Sequence, residues 1–216
     1  MSLLPLPPTF TATRQALHRV AQDIVAPARK PDNEIALEAT PGGFGTPVFE
    51  YAGTTQQVRV ERAELVHTKN GTEQRAPLTS LETARQLVPE LVPDPLGDEP
   101  LDIDPEAAAR LGDWYAFGDA ILRAFADATA SPIRLWPEHF DIAIDMGEVN
   151  YGFSPGDDDH DEPYAYVGPW SADVSGPLWN ATTFRGAELS YSALLAEPDP
   201  RAAALAFLNS RKEALA

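Results

Sequence analysis

Residues 136–170 read WPEHFDIAIDMGEVNYGFSPGDDDHDEPYAYVGPW. Three runs within this stretch alternate large apolar residues with small or polar ones: Phe140 to Asp145, Val149 to Phe153 and Tyr164 to Val167. Alternation with period two is the signature of a strand with one buried face. The connections between the runs are too short for a parallel crossover, so the strands pair antiparallel as a β-meander.

Outward from the meander, helical signals bound the strands. Leu17, Val20, Ala21, Ile24 and Val25 form one apolar stripe at helical spacing, with Thr9 or Thr11 as cap and Pro27 and Pro31 as stops. Ile35, Leu37 and Ala39 alternate as a strand, and Pro41 to Pro47 reads as a glycine-rich loop. Strand signals follow at Val48–Tyr51, Val58–Val60 and Ala63–His67, and Asn70-Gly71 predicts a hairpin returning through Thr72 to Ala76. Thr79 or Ser80 caps a short helix to Val88. Asp104-Pro105 opens the longest helix, expected to reach about Thr129. A further strand is expected within Thr182–Leu189, and Asp199-Pro200 starts a C-terminal helix. The predicted class is α+β: antiparallel sheets built from hairpins and a β-meander, flanked by an N-terminal helix, a long central helix and a C-terminal helix. Residues 89–104 are proline-rich and acidic without one base, and read as a connector inside a single domain spanning 1–216.

Composition narrows the partners. The net charge of −17 repels phosphate backbones and anionic membranes, so neither nucleic acid nor a membrane is an expected partner. It favours cations, amines or a basic protein. The absence of cysteine excludes disulfides and thiolate chemistry. The start, MSLLPLPPTF, has no basic n-region or long apolar core, and no apolar run is long enough to span a bilayer; the expected location is cytoplasmic.

Residues 136–170 hold two of the four Trp, three of the six Tyr and two of the four His. His139 and Asp141 lie two positions apart, and on an extended strand would share a face. With His160, they are the candidate ligands for a divalent metal. The alternative is structural, an imidazole bonded to a neighbouring carboxylate at a strand entry. Trp136, Glu138, Tyr151, Tyr164, Tyr166 and Trp170 are the candidate small-ligand residues, since aromatic walls with polar tips are the usual build of a binding cleft; an ordinary core would use the same alternation. Asp157, Asp159 and Asp161 have the spacing of the start of a calcium loop, but Glu162 stands where such a loop needs glycine and Gly168 where it needs glutamate. Ser154-Pro155 lacks the surroundings of a nucleophile elbow.

The motifs Trp136-Pro137-Glu138-His139-Phe140-Asp141, Gly152-Phe153-Ser154-Pro155-Gly156-Asp157 and Pro163-Tyr164-Ala165-Tyr166-Val167-Gly168-Pro169-Trp170 resemble those of a family of uncharacterised bacterial proteins, mostly actinobacterial. That resemblance implies no reaction or cofactor; it marks the segment as the place to look. The expected function is binding of a small molecule or divalent metal at 136–170, with metal-assisted hydrolysis or isomerisation as one chemistry such a set supports. The competing expectations are an acidic module docking a basic partner and a calcium-stabilised structural protein.

Overall fold

The computed structural model describes residues 3–32, 34–170 and 173–215, so the first two residues of the N-terminal stretch read above lie outside the described residues. Among the described residues, two antiparallel sheets and five α-helices make up the α+β fold. Helix α1 (Phe10–Val20) runs into a π-helical turn (Ala21–Val25) and a 3-10 segment (Pro27–Asp32). The first sheet has β1 (Glu38–Thr40), β2 (Gly43–Gly45), β3 (Phe49–Tyr51), β4 (Thr54–Glu61), β5 (Glu64–Lys69) and β6 (Thr72–Pro77). Its order is β1-β2-β4-β5-β6, with β3 also on β4. Helices α2 (Leu81–Leu87) and α3 (Pro105–Phe125) follow. The second sheet holds β7 (Arg134–Trp136), β8 (Asp141–Asp145), β9 (Val149–Ser154), β10 (Tyr164–Pro169) and β11 (Ala187–Ser190), in the order β11-β10-β9-β8-β7. Helices α4 (Tyr191–Ala196) and α5 (Pro200–Ala214) close the chain.

The hairpin at Asn70-Gly71 forms as its sequence requires, with φ of 48° and 78° at the two turn residues. The helix starts at 104–105 and 199–200 are also as read. Asp104 accepts from the backbone N–H of Glu106 and Ala107, Asp199 from that of Ala202, and each is followed by proline. Several elements differ from the sequence reading. The loop at 41–47 contains a strand, β2. Helix α3 stops at Phe125, because Ala126 turns to an extended backbone. β7 and α4 have no counterpart in the sequence reading. The acidic connector packs on α2: Ser80 Oγ donates to Asp98 at 2.7 Å, and the backbone N–H of Leu96 donates to Glu82.

Among the described residues one isolated β-bridge joins the two sheets. Leu37 and Leu135 exchange both backbone hydrogen bonds at 2.8 Å. Across this seam lies α3, which touches β1 and β2 on one side and β8 and β9 on the other. Its Trp114 sits among Phe117, Phe153 and Tyr191. Each such aromatic pair adds about 0.5–1.5 kcal/mol beyond the area it buries. Among the described residues no helix is long and apolar enough to cross a membrane.

Gly112 sets how closely α3 approaches β2. A Cβ at this position would lie 2.5 Å from the Gly42 carbonyl carbon and 2.9 Å from the Gly43 nitrogen. Both obstacles are backbone, so neither can rotate away. On helix propensity alone, Gly112→Ala would stabilise by about 1 kcal/mol. The clash reverses the sign, and the variant is expected to lose about 1–3 kcal/mol in denaturant unfolding. A midpoint above that of the unmodified protein would show that α3 does not need this approach.

Candidate functional site

Strand parity divides the residues of the second sheet between two faces. Leu135, Ile142, Ile144, Val149, Tyr151, Phe153, Ala165, Val167 and Ala187 point into the core beneath α3. Their neighbours point the other way, and that outer face forms a groove of about 1130 Å³. Arg134 and Trp136 of β7, Asp141, Ala143 and Asp145 of β8, Asn150 and Ser154 of β9, and Tyr164 and Tyr166 of β10 line it. Arg14 and His18 of α1, Asp157 to Asp159, Trp170 and Phe184 complete its rim.

The entry to β8 decides how Asp141 arrives. The sequence reading started this strand at Phe140; it starts at Asp141. Phe140 is left-handed, with φ of 57°, a conformation costing a bulky residue roughly 1–2 kcal/mol. Surrounding contacts hold it there. Its N–H donates to the Trp136 carbonyl at 2.6 Å, and its own carbonyl accepts from the Tyr115 hydroxyl at 2.6 Å. Its ring stacks on His18 at 4.8 Å and meets Phe44 and Tyr115 edge-on. His139 therefore lies in a turn and is exposed, while Asp141 is buried. Both line the groove, but they reach it from different backbone conformations rather than as alternate residues of one strand.

Asp141 is 6% exposed. Its Oδ2 accepts a hydrogen bond from the Tyr166 hydroxyl, and its Oδ1 is buried with no partner among the described residues. Burial pushes its pKa up, against the opposing pull of Tyr166 and of His139 nearby. Gly152 makes the Tyr166 bond possible. It pairs with Ala143 on one side and Tyr166 on the other, and a Cβ there would lie 2.5–2.6 Å from the phenol ring and hydroxyl. With no side chain between them, Tyr166 crosses β9 to reach β8.

His18 donates from Nε2 to the Pro137 carbonyl at 2.8 Å. A carbonyl can only accept, so the proton sits on Nε2. Burial lowers the pKa of this ring, favouring the neutral form. Arg14 is 5% exposed and donates to the Asp157 carbonyl at 3.0 Å. Arg134 lies over the Trp136 ring at 5.7 Å.

Of the residues proposed from sequence, Trp136, Glu138, His139, Asp141, Tyr164, Tyr166 and Trp170 are brought together on the groove. Tyr151 is on the opposite face, buried against Phe125 at 4.8 Å. His160 is spent within the acidic tip: Nδ1 bonds Asp157 at 2.8 Å and Nε2 bonds Glu188 at 3.1 Å. Tyr164 donates to the second oxygen of Asp157 at 2.6 Å, and Glu162 accepts from the backbone and hydroxyl of Ser192. Among the described residues no three His, Cys, Asp or Glu side chains are grouped to hold a metal ion. Arg14, His18, Arg134, Asp145 and Phe184 also line the groove and are not among the sequence candidates. Counting by two from Asp141 gives Asp145, but nothing local ties α1 or Phe184 to this sheet.

The tip makes stability depend on pH. Partial burial opposes charge on His160, but its bonds to Asp157 and Glu188 outweigh this and raise its pKa. A histidine with a raised folded pKa contributes stability that is full below its unfolded value, about 6.5, and is lost as pH rises through the folded value. His18 and His67 are shifted downward and act oppositely, so the comparison must isolate His160. The stability gap between the unmodified protein and His160→Gln is expected to be largest near pH 5.5 and to shrink by pH 8.5 in urea titrations. A gap constant with pH would refute the ion-pair assignment.

No family model, curated protein or solved structure matches the chain.

Proposed function

We propose that the protein binds a small polar organic molecule in the groove, with a hydrogen-bond donor of that molecule on Asp141 Oδ1. One observation carries this reading: a carboxylate oxygen buried in the groove's lining without a partner. An unmade hydrogen bond at a buried acceptor costs about 1–3 kcal/mol, more when the group is charged. Arg14, Arg29, Thr40 and Arg110 carry such an atom too, but among the described residues only Asp141 is an acid with one on the groove, where a ligand can supply the missing partner. Trp136, Tyr164, Tyr166 and Phe184 give the apolar walls a bound organic body requires.

Proton transfer to or from the bound molecule is a second role for the same carboxyl, favoured by its upward-shifted pKa. A divalent metal on His139 and Asp141 is supported less well. It would need a third donor, and the His160 nitrogens are already on carboxylates. A calcium role for the acidic tip meets the same difficulty, because Asp157 and Glu162 are tied to neighbouring side chains.

Asp141→Asn tests the proposal. An acid whose folded pKa is raised costs stability at any pH above that value, and the cost is relieved as pH falls. The amide removes the charge and keeps the shape. The variant is therefore expected to melt no lower than the unmodified protein at pH 7.5. In a thermal-shift panel of amines, amino sugars and polyols, at least one compound should stabilise the unmodified protein. At about 100 times its Kd it would add about 2.7 kcal/mol, roughly 5–10 °C for a chain of this size. Asp141→Asn should lose that shift. A variant that melts several degrees lower unliganded, or that keeps every shift, would make Asp141 a structural residue.

A further inference from the structure

The charges and rings around Asp141 narrow the chemistry of its partner. Acids outnumber bases along the groove: Glu138, Asp145, Asp157, Asp158 and Asp159 line it with Asp141, against Arg14, Arg134 and the imidazoles of His18 and His139. Arg14 is held by the acidic tip, although its Nε finds no partner among the described residues, and Arg134 lies against a ring. Arg14 donates to the Asp157 carbonyl and faces the carboxylates of Asp157, Asp158 and Asp161, while Arg134 covers Trp136. The His18 ring is held on the Pro137 carbonyl. Neither these groups nor His139 bonds Asp141 Oδ1, which is buried and without a partner among the described residues. Beside it stand aromatic faces. Tyr166 lies 6.2 Å from both Tyr164 and Phe184, and Trp170 is 60% exposed at the rim.

Three kinds of anchoring group can be weighed against these features. A hydroxyl donates a hydrogen bond but leaves the surplus negative charge unanswered. A quaternary ammonium answers the charge and suits the aromatic faces, but has no N–H for Oδ1. A primary ammonium does all three: it donates, carries charge and packs on rings. We infer that the group bound at Asp141 is the protonated primary amine of a small organic molecule. This rests on the binding role given to the groove above and specifies its ligand class.

The experiment uses three probes of one shape, benzylamine, benzyltrimethylammonium and benzyl alcohol, titrated into the full-length protein by calorimetry at pH 7.5 and low salt. A charge-assisted hydrogen bond is about twice as strong as a neutral one, so benzylamine should bind roughly tenfold more tightly than benzyl alcohol. It should also bind more tightly than the quaternary probe. Asp141→Asn should bring benzylamine to the level of the alcohol. Because the ranking is read in the unmodified protein, it holds even if the variant fails to fold. If the alcohol binds as tightly as benzylamine, the ammonium inference falls and the binding role stands. If the quaternary probe equals benzylamine, the groove reads charge without a hydrogen bond to Asp141, and the inference falls likewise. If none of the three binds and no compound of the wider panel shifts melting, the binding role fails and the inference with it.

Discussion

The hydrogen bond from the Tyr115 hydroxyl to the Phe140 carbonyl is the constraint from which the groove follows. Tyr115 is fully buried on α3, beyond the reach of water, so its hydroxyl must find an acceptor within the protein. The Phe140 carbonyl is available because its residue has left the strand ladder in a left-handed turn. Each group resolves the other's problem. The turn then releases the chain into β8 with Asp141 as its first residue, on the outer face and already enclosed. Helix, turn and carboxylate are thus positioned as one unit, although α3 contributes no side chain to the groove's lining.

What the sequence made readable was local. Alternation located the meander strands because each of their residues reports on its own face. Caps located the starts of α3 and α5 because aspartate followed by proline works within a single turn. The strand at Gly43–Gly45 was hidden, since glycines carry no alternating pattern; its reason is the backbone of α3 lying against it, more than sixty residues away. The left-handed Phe140 was hidden too, for nothing in WPEHFD marks a phenylalanine as leaving the β region. It is held there by Tyr115, His18 and Phe44, each from a different element.

The candidate site was legible in the same partial way. Parity alone separates Tyr164 and Tyr166 from Tyr151, once the strands are placed in register with β8. The contribution of α1 was beyond such counting. Arg14 and His18 are one helical turn apart and share a face, but that face meets the groove only because the helix docks beside the 136–140 turn. The acidic tip shows the limit of reading charge from composition. A run of carboxylates suggests a solvated loop or a cation site, yet Asp157, His160, Glu188 and Tyr164 form a closed set that satisfies itself.

Gly152 has a consequence for how this protein can change. The depth of the hollow is governed by a methyl group that is not there, since any larger residue would occupy the lane through which the phenol reaches its acid. Substitutions at the rim, Trp170 or Phe184 for example, change the mouth of the groove without touching this contact. A substitution at this one strand position would instead sever β10 from β8 on the outer face. The contact between the two outer strands is thus anchored by an empty space in the middle.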